Sequence, residues 1–455
     1  MSETWADLRG SEAPQGAPAR PATAADPTLN RLLDQDRAIH DWYRFVIAYP
    51  PHLVREYVRR FELISSDLLL DPFCGTGTTL VEAKKQGIPS IGIEGHPFTK
   101  FAAATKVDWN PKPSRLLLDS ESISEVVQGK LAEDAVEDSP LSALACRRAH
   151  RRPTLRALPP EVSSLLISES ISPRPLHKVL TLLDVIHERG QSTLVNHERL
   201  AVAKTAVFTA SNLSFGPEVG RGAIKRDSPV VAPWLGAMRE MAADLARLQG
   251  ASSAPSEVLL GDAREGGRIL GRRKIGAVIT SPPYPNEKDY TRTTRLEAVL
   301  LGFVRSKEEL QTVKRTLIRS NTRGVYRQDD DDLLVSDMDE IQSLANRIEA
   351  RRIELGKTSG FERMFPRLTR LYFGGMHRHF AQLRPALRPG ARLAYVVGDQ
   401  ASYLRVMIRT GDLLGKVAER LGYKVEGIDL FRTRLATATK EQLREEVLLL
   451  RWPGS

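Results

Sequence analysis

The chain has 455 residues, of which 41% are hydrophobic, enough to bury at least one large core and more naturally two or three structural units. Its 66 lysines and arginines against 56 acids leave a net charge of +10, which favours a polyanionic partner. The only cysteines, Cys74 and Cys146, exclude a disulfide framework and a Cys/His zinc site and fit a reducing cytoplasm; a basic-then-apolar leader and a run of about 18 apolar residues are both missing, so no secretion and no membrane span are expected.

In chain order, residues 1–28 are rich in Ala, Pro, Gly and Ser without apolar period, the composition of a disordered tail. From 31 to 61 the spacing of Leu32, Leu33, Ile39, Trp42 and Tyr43, then Leu53, Val54, Tyr57 and Val58, predicts helices on both sides of a turn at Tyr49-Pro50-Pro51. An apolar strand at 67–71, a helix from Leu80 closed by Gly87 and a strand at 89–94 make a βαβ unit. Residues 110–255 break this rhythm with helical patterns such as 179–187 and 238–248. Buried strands are predicted again at 258–262, 275–280 and 391–399, followed by strands at 424–430 and 445–451. The expected fold is α/β, a doubly wound Rossmann-like sheet carried by residues 29–109, 256–302 and 371–455, with a mostly helical insertion at 110–255 and a smaller, arginine-rich one at 303–370.

Two loops carry chemistry. In Asp71-Pro72-Phe73-Cys74-Gly75-Thr76-Gly77-Thr78-Thr79 a strand runs into a glycine turn that lets the backbone approach a ligand, and a helix begins behind it. A phosphate-binding loop would need a Lys-Ser/Thr pair after its last glycine, whereas Thr78-Thr79 stand here and the first lysine is Lys84. The carboxylate of Asp71 would repel a phosphate but could pair with an ammonium group, such as the amino-acid end of S-adenosylmethionine. Glu94 ends the next strand, where an acid accepts from two ribose hydroxyls in doubly wound folds, and Asp262 ends another, where it could accept from an adenine amino group. Taken singly, such acids are ordinary strand ends or helix caps; their order after the glycine loop is what points to a cofactor.

The second loop, Thr280-Ser281-Pro282-Pro283-Tyr284, follows an apolar strand, and its prolines remove backbone donors while leaving carbonyl acceptors on a rigid surface. Methylating an exocyclic amine conjugated with its ring calls for acceptors that hold the two N–H groups and tilt the nitrogen toward a methyl donor. Ser281 Oγ and the Pro282 carbonyl could supply them, with Tyr284 stacking on a base flipped out of the duplex. Standing alone, a Ser-Pro-Pro-Tyr run is a proline-rich turn.

Together these residues resemble the amino-methyltransferase family of DNA methylases: residues 71–79 are similar to its cofactor motif and 280–284 to the catalytic motif of its cytosine N4 branch. The resemblance implies S-adenosylmethionine as cofactor, held by Asp71, Pro72, Phe73, Gly75, Gly77, Thr78, Thr79, Glu94 and Asp262, with catalysis by Ser281, Pro282, Pro283 and Tyr284. The stretch from Ala48 to Leu53, with Tyr49 and Pro50, is similar to the family's remaining cofactor motif. Cytosine C5 methylation is disfavoured, because the nucleophilic cysteine of that chemistry follows a proline, whereas Cys74 follows Phe73 and Cys146 follows Ala145.

The expected reaction is transfer to cytosine N4 in DNA; the alternatives are adenine N6, RNA methylation and a DNA-binding subunit without turnover. Arg315, Arg319 and Arg323 are candidates for phosphate or guanine contacts. The stretch from Asn212 to Glu218 precedes the basic Arg221, Lys225 and Arg226 and is a candidate loop at the substrate cleft, with a turn that ends a helix as the plainer reading; no metal is expected from the nine histidines. DNA, and a restriction nuclease or other defence partner, are the partners implied; cytoplasmic placement near the nucleoid follows.

Overall fold

The computed structural model describes residues 29, 31–44, 48–138, 153–190, 192–215, 218–248, 250, 254–286, 288–435 and 442–454. The tail expected at 1–28 and Cys146 lie outside the described residues.

A seven-stranded sheet organises the chain. Its strands are β1 (Leu69–Asp71), β2 (Ser90–Glu94), β5 (Ser256–Leu260), β6 (Ile275–Thr280), β7 (Leu387–Gly398), β8 (Lys424–Leu435) and β9 (Gln442–Arg451), in the spatial order β5-β2-β1-β6-β7-β9-β8. The pairs from β5 across to β7 are all parallel, and β9 slots antiparallel between β7 and β8. This is the doubly wound α/β sheet expected from the strand pattern. The order reverses between β1 and β6, so the crevice outside their carboxyl ends is where such a sheet binds ligands.

The apolar runs that made these strands legible alternate between two faces. Leu69, Ala277, Ile279, Ala394, Val396, Val447 and Leu449 pack against Leu53, Val54 and Tyr57 of α1 (Pro51–Arg60). On the other face Leu70, Val278, Leu393, Tyr395, Val397 and Leu448 meet a layer that includes Phe373, Phe380, Leu414 and Val417. A third core joins α2 (Thr78–Lys85) and α3 (Pro97–Val107) to four long helices between β2 and β5: α4 (Pro113–Glu133), α5 (Pro173–Glu188), α6 (Val195–Thr205) and α7 (Val231–Arg247). Helices α1, α3, α4 and α5 each begin on a proline, whose missing N–H and fixed φ suit the first turn.

Two local expectations change. Among the described residues before the Pro50-Pro51 turn, only single helical turns form, at Asp34–Asp36 and Arg37–His40, and Ile39 sits at φ +70°. The Ile39 N–H and Trp42 Nε1 both donate to Asp244 of α7, 3.0 Å each, so a distant carboxylate overrides the helical period. The helix-ending turn read at 212–218 is instead the start of a short antiparallel hairpin, β3 (Leu213–Phe215) with β4 (Val219–Arg221), after a π-helical stretch at Ala206–Ala210. Among the described residues no helix is long and apolar enough to cross a membrane, and no group of three His, Cys, Asp or Glu could hold a metal ion.

Candidate active site

The loops after β1, β2, β5, β6 and β7 emerge on one edge of the sheet and enclose a cleft of about 740 Å3. It is lined by Tyr49, Pro50, Pro72, Phe73, Gly75, Thr78, Glu94 and Asp262 on one side and by Ser281, Pro282, Pro283 and Tyr284 on the other. The loops singled out in the sequence thus meet in one cavity, although the four long helices intervene in the chain.

Behind the glycine loop, Gly75 and Gly77 take positive φ values of 52° and 86°, and Gly77 caps α2 in the left-handed region. A Cβ at Gly77 would lie 3.1 Å from that of Ala103, so the loop also needs the glycine for contact with α3. Gly77 and Thr79 support the loop from beneath and do not line the cleft.

Asp71 departs from its expected role. It is fully buried, and its carboxylate accepts from Thr79 Oγ1 and Thr280 Oγ1 at 2.5 Å each and from the Phe73 N–H at 3.1 Å, with the Tyr49 hydroxyl at 3.4 Å. Enclosure among these donors withdraws it from a cofactor ammonium and makes it the knot that fastens the glycine loop to the catalytic strand. Tyr49 also hydrogen-bonds Thr79.

Glu94 reaches the cleft from the end of β2. Its Oε2 accepts from the Gly75 N–H and its Oε1 from the His96 N–H, both at 2.8 Å, while burial raises its pKa. His96 Nδ1 accepts from the Phe98 N–H at 3.2 Å, which leaves the ring proton on Nε2, facing Thr294 Oγ1 at 3.2 Å. Burial, with Arg295 nearby, holds His96 neutral by pushing its pKa down to about 4. Asp262 lies at the end of the cavity with its carboxylate held by Arg264, 2.7 Å from Nη2 and 3.0 Å from Nε. The Phe73 ring rests against His379, centroids 4.9 Å apart, with one side toward the cleft.

The donor set tests the fit of S-adenosylmethionine. The cofactor side offers Glu94, Asp262, the Phe73 ring and open backbone at Gly75, where a Cβ would meet nothing within 4 Å. The lysines and arginines among the described lining residues, Lys288, Arg432 and Arg434, belong to the catalytic loop and the C-terminal hairpin. Asp262 is already paired with Arg264, whereas Glu94 accepts from backbone N–H groups, and an acid so placed suits a positively charged ligand bearing a ribose better than a polyphosphate. Glu94 would hold the ribose, Phe73 would pack on the cofactor and the Gly75 backbone would approach it.

On the catalytic side, Ser281 Oγ–H donates to the Val396 carbonyl at 3.1 Å and lies 3.5 Å from the Tyr284 hydroxyl. Its one proton is thereby committed to β7, and its lone pairs are left to accept. The candidate arginines are not brought into the cleft. Arg319 is buried, donating to both oxygens of Asp329 at 2.7 and 2.9 Å and to the carbonyls of Lys314 and Arg315, so it is an internal tie and not a DNA contact. Arg315 and Arg323 are exposed, and Arg315 stands beside the lining residues Thr316 and Leu317. Residues that sequence reasoning missed also line the cavity: His96, Tyr290, Gln400, Ser402, Phe431, Arg432, Arg434 and Glu445. His96 and Tyr290 stand close in the chain to Glu94 and Tyr284, whereas no local signal marks the other six, which reach the loop only through the β6-β7-β9-β8 order.

Fold and cleft define a doubly wound methyltransferase that takes S-adenosylmethionine. The profile of a family described as DNA methylase matches residues 26–104. The chain is 25% identical over 457 residues to the Type II methyltransferase M.BsoBI of Geobacillus stearothermophilus, covering 91% of this chain and 85% of that protein. It is 23% identical to the Type II methyltransferase M.AvaI of a Nostoc species, over 90% and 86% of the two chains. Over 113 residues it is 30% identical to the Type II methyltransferase M.MjaII of Methanocaldococcus jannaschii, 24% of this chain and 21% of that one. Among solved structures, TrmN from Thermus thermophilus aligns with a TM-score of 0.26 at 12% identity, over 91% of this chain and about half (52%) of that chain, a likeness too slight to carry an argument. The chain is thus similar to DNA methylases over its first conserved segment and to Type II methyltransferases over nine-tenths of its length.

Proposed function

We propose that the chain methylates the N4 amine of cytosine at specific DNA sites, working as a Type II methyltransferase alongside a restriction nuclease. The observation that carries this reading is the Ser281 hydroxyl, which donates its proton to Val396 and lines the same cavity as Glu94 and Phe73. A neutral acceptor of this kind, with the Pro282 carbonyl beside it, receives the two N–H bonds of a weakly basic aromatic amine and frees its lone pair to point across the cleft. Bound S-adenosylmethionine supplies the electrophilic methyl carbon. Tyr284 stacks on the extruded base, since an amine within a paired duplex is reached only by flipping its nucleotide out. Relatives called Type II methyltransferases, matching over nine-tenths of the chain, support site-specific action.

The test is single-molecule sequencing of DNA from cells expressing the chain or its Ser281→Ala variant. N4-methylcytosine in one motif, reduced at least about 100-fold in the variant with cofactor affinity unchanged, is the expected result. N6-methyladenine in its place would move the reaction to adenine, and modification undiminished in Ser281→Ala would remove the serine from the chemistry.

A further inference from the structure

Beside the acceptor loop stands a wall built by the C-terminal strands. At Gly398, the last residue of β7, a Cβ would lie 3.1 Å from the Tyr284 ring, 3.5 Å from Gln400 Nε2 and 3.5 Å from Glu445 Cγ, so three side chains converge where this position has none. Glu445 Oε2 accepts from Arg432 Nε at 2.5 Å, and its Oε1 lies 3.3 Å from Arg434 Nε. Arg434 Nη2 in turn donates to Gln400 Oε1 at 3.4 Å, which turns the Gln400 amide nitrogen toward the Gly398 carbonyl. The backbone of Gln400 is pinned by reciprocal hydrogen bonds with Ile408, at 3.1 and 2.7 Å. All four side chains line the cavity.

We propose that Gln400, Arg432 and Arg434, set in place by Glu445, form a donor wall that receives the ring edge of the target base, pairing with N3 and O2 of cytosine. The inference rests on the cytosine N4 reading above. The chemistry of the two amines separates them: next to N4, cytosine presents two acceptors in a row, N3 and O2, whereas next to N6 adenine presents N1 and then a C–H. A wall whose side-chain nitrogens outnumber its carboxylate suits the first edge, and with adenine it would keep a desolvated donor unpaired. Glu445 gives the guanidiniums a fixed direction, so the wall is organised before the base arrives. The acceptors of Ser281 and Pro282 would then hold the amine while the donors of the wall hold the ring, which together fix the base in its plane.

The experiment starts from the motif and product base found by sequencing, and uses duplexes carrying that motif with the target cytosine intact or replaced by 3-deazacytosine, which lacks the N3 acceptor. Single-turnover rates are measured for the wild-type chain, Gln400→Leu, Arg434→Met and Arg434→Lys, after checking melting temperature and cofactor affinity. The wild type is expected to lose about 10- to 100-fold in rate on 3-deazacytosine, and Gln400→Leu or Arg434→Met to lose as much on cytosine but little more on the analogue. Arg434→Lys, which keeps a donor, should recover part of the loss. Equal losses on both bases would assign these residues to a DNA phosphate or to the fold, and rates unchanged on cytosine would likewise overturn the wall while leaving N4 methylation standing. An adenine product in the wild type would instead overturn the N4 reading itself, and the wall with it; a wild type indifferent to the analogue overturns the wall without any variant having to fold.

Discussion

Asp71 shows how much a single side chain does in this cleft. Burial raises its pKa to about 6, while the Thr280 and Thr79 hydroxyls and the Phe73 N–H pull the other way. A carboxyl whose folded value lies above the ordinary one favours the folded state most at low pH, and that advantage is lost as pH rises from about 4 through 6. Asp71→Asn keeps the shape and removes the titration. The stability of the wild type relative to Asp71→Asn should therefore fall by on the order of 3 kcal/mol between pH 4 and pH 7, read by urea unfolding at each pH. A relative stability that stays flat over that span would show that the residue does not titrate there. In the sequence Asp71 reads as a strand-end acid open to a ligand; only the threonine eight positions on and the one at the end of β6 reveal it as a buried acceptor.

At the scale of elements, each member of the acidic run 329–332 holds an arginine. Asp329 takes Arg319, Asp330 takes Arg378, Asp331 takes Arg264 and Arg378, and Asp332 takes Arg367. These pairs tie the segment after α8 (Arg295–Leu300) and α9 (Lys307–Arg315) back to the helix Phe365–Leu383 and, through Arg264, to Asp262 at the cleft. Removing one partner strands a half-buried charge, so Arg319→Ala should cost about 3 kcal/mol in chemical denaturation. If instead stability holds and DNA binding drops, Arg319 faces the nucleic acid after all. The strands and both loops were legible because apolar runs and Gly-Pro punctuation are local signals. The wall of Gln400, Arg432, Arg434 and Glu445 was not, since residues some thirty positions apart become neighbours only when β9 enters between β7 and β8. Strand β8 likewise runs on to Leu435, past its apolar stretch, because pairing with β9 carries it.

For the whole molecule, the excess of positive charge has to reach a polyanion through residues that remain exposed. Arg315 and Arg323 qualify, and Asn321 beside Arg323 donates to the Lys288 carbonyl at 3.2 Å, which places this turn next to a lining residue of the cleft. Arg323→Ala and Arg315→Ala should each weaken DNA binding to a similar degree on every sequence, and each should lower the slope of log affinity against log salt by about 1. Titrations with duplexes at several salt concentrations measure this; an effect confined to one motif would mark the arginine as a base reader instead.

The position of β1 in the middle of the sheet also sets a timetable. One of its neighbours, β2, follows shortly after it in the chain, but the other, β6, is made only after the four long helices have emerged. Until then the Leu69–Asp71 strand carries an open apolar edge, the kind that nascent chains lose to misassociation, and Asp71 lacks the Thr280 hydroxyl that completes its shell. The glycine loop and the acceptor loop therefore reach their final form in the same event, the docking of β6, and a product of interrupted synthesis ending before residue 275 would have neither.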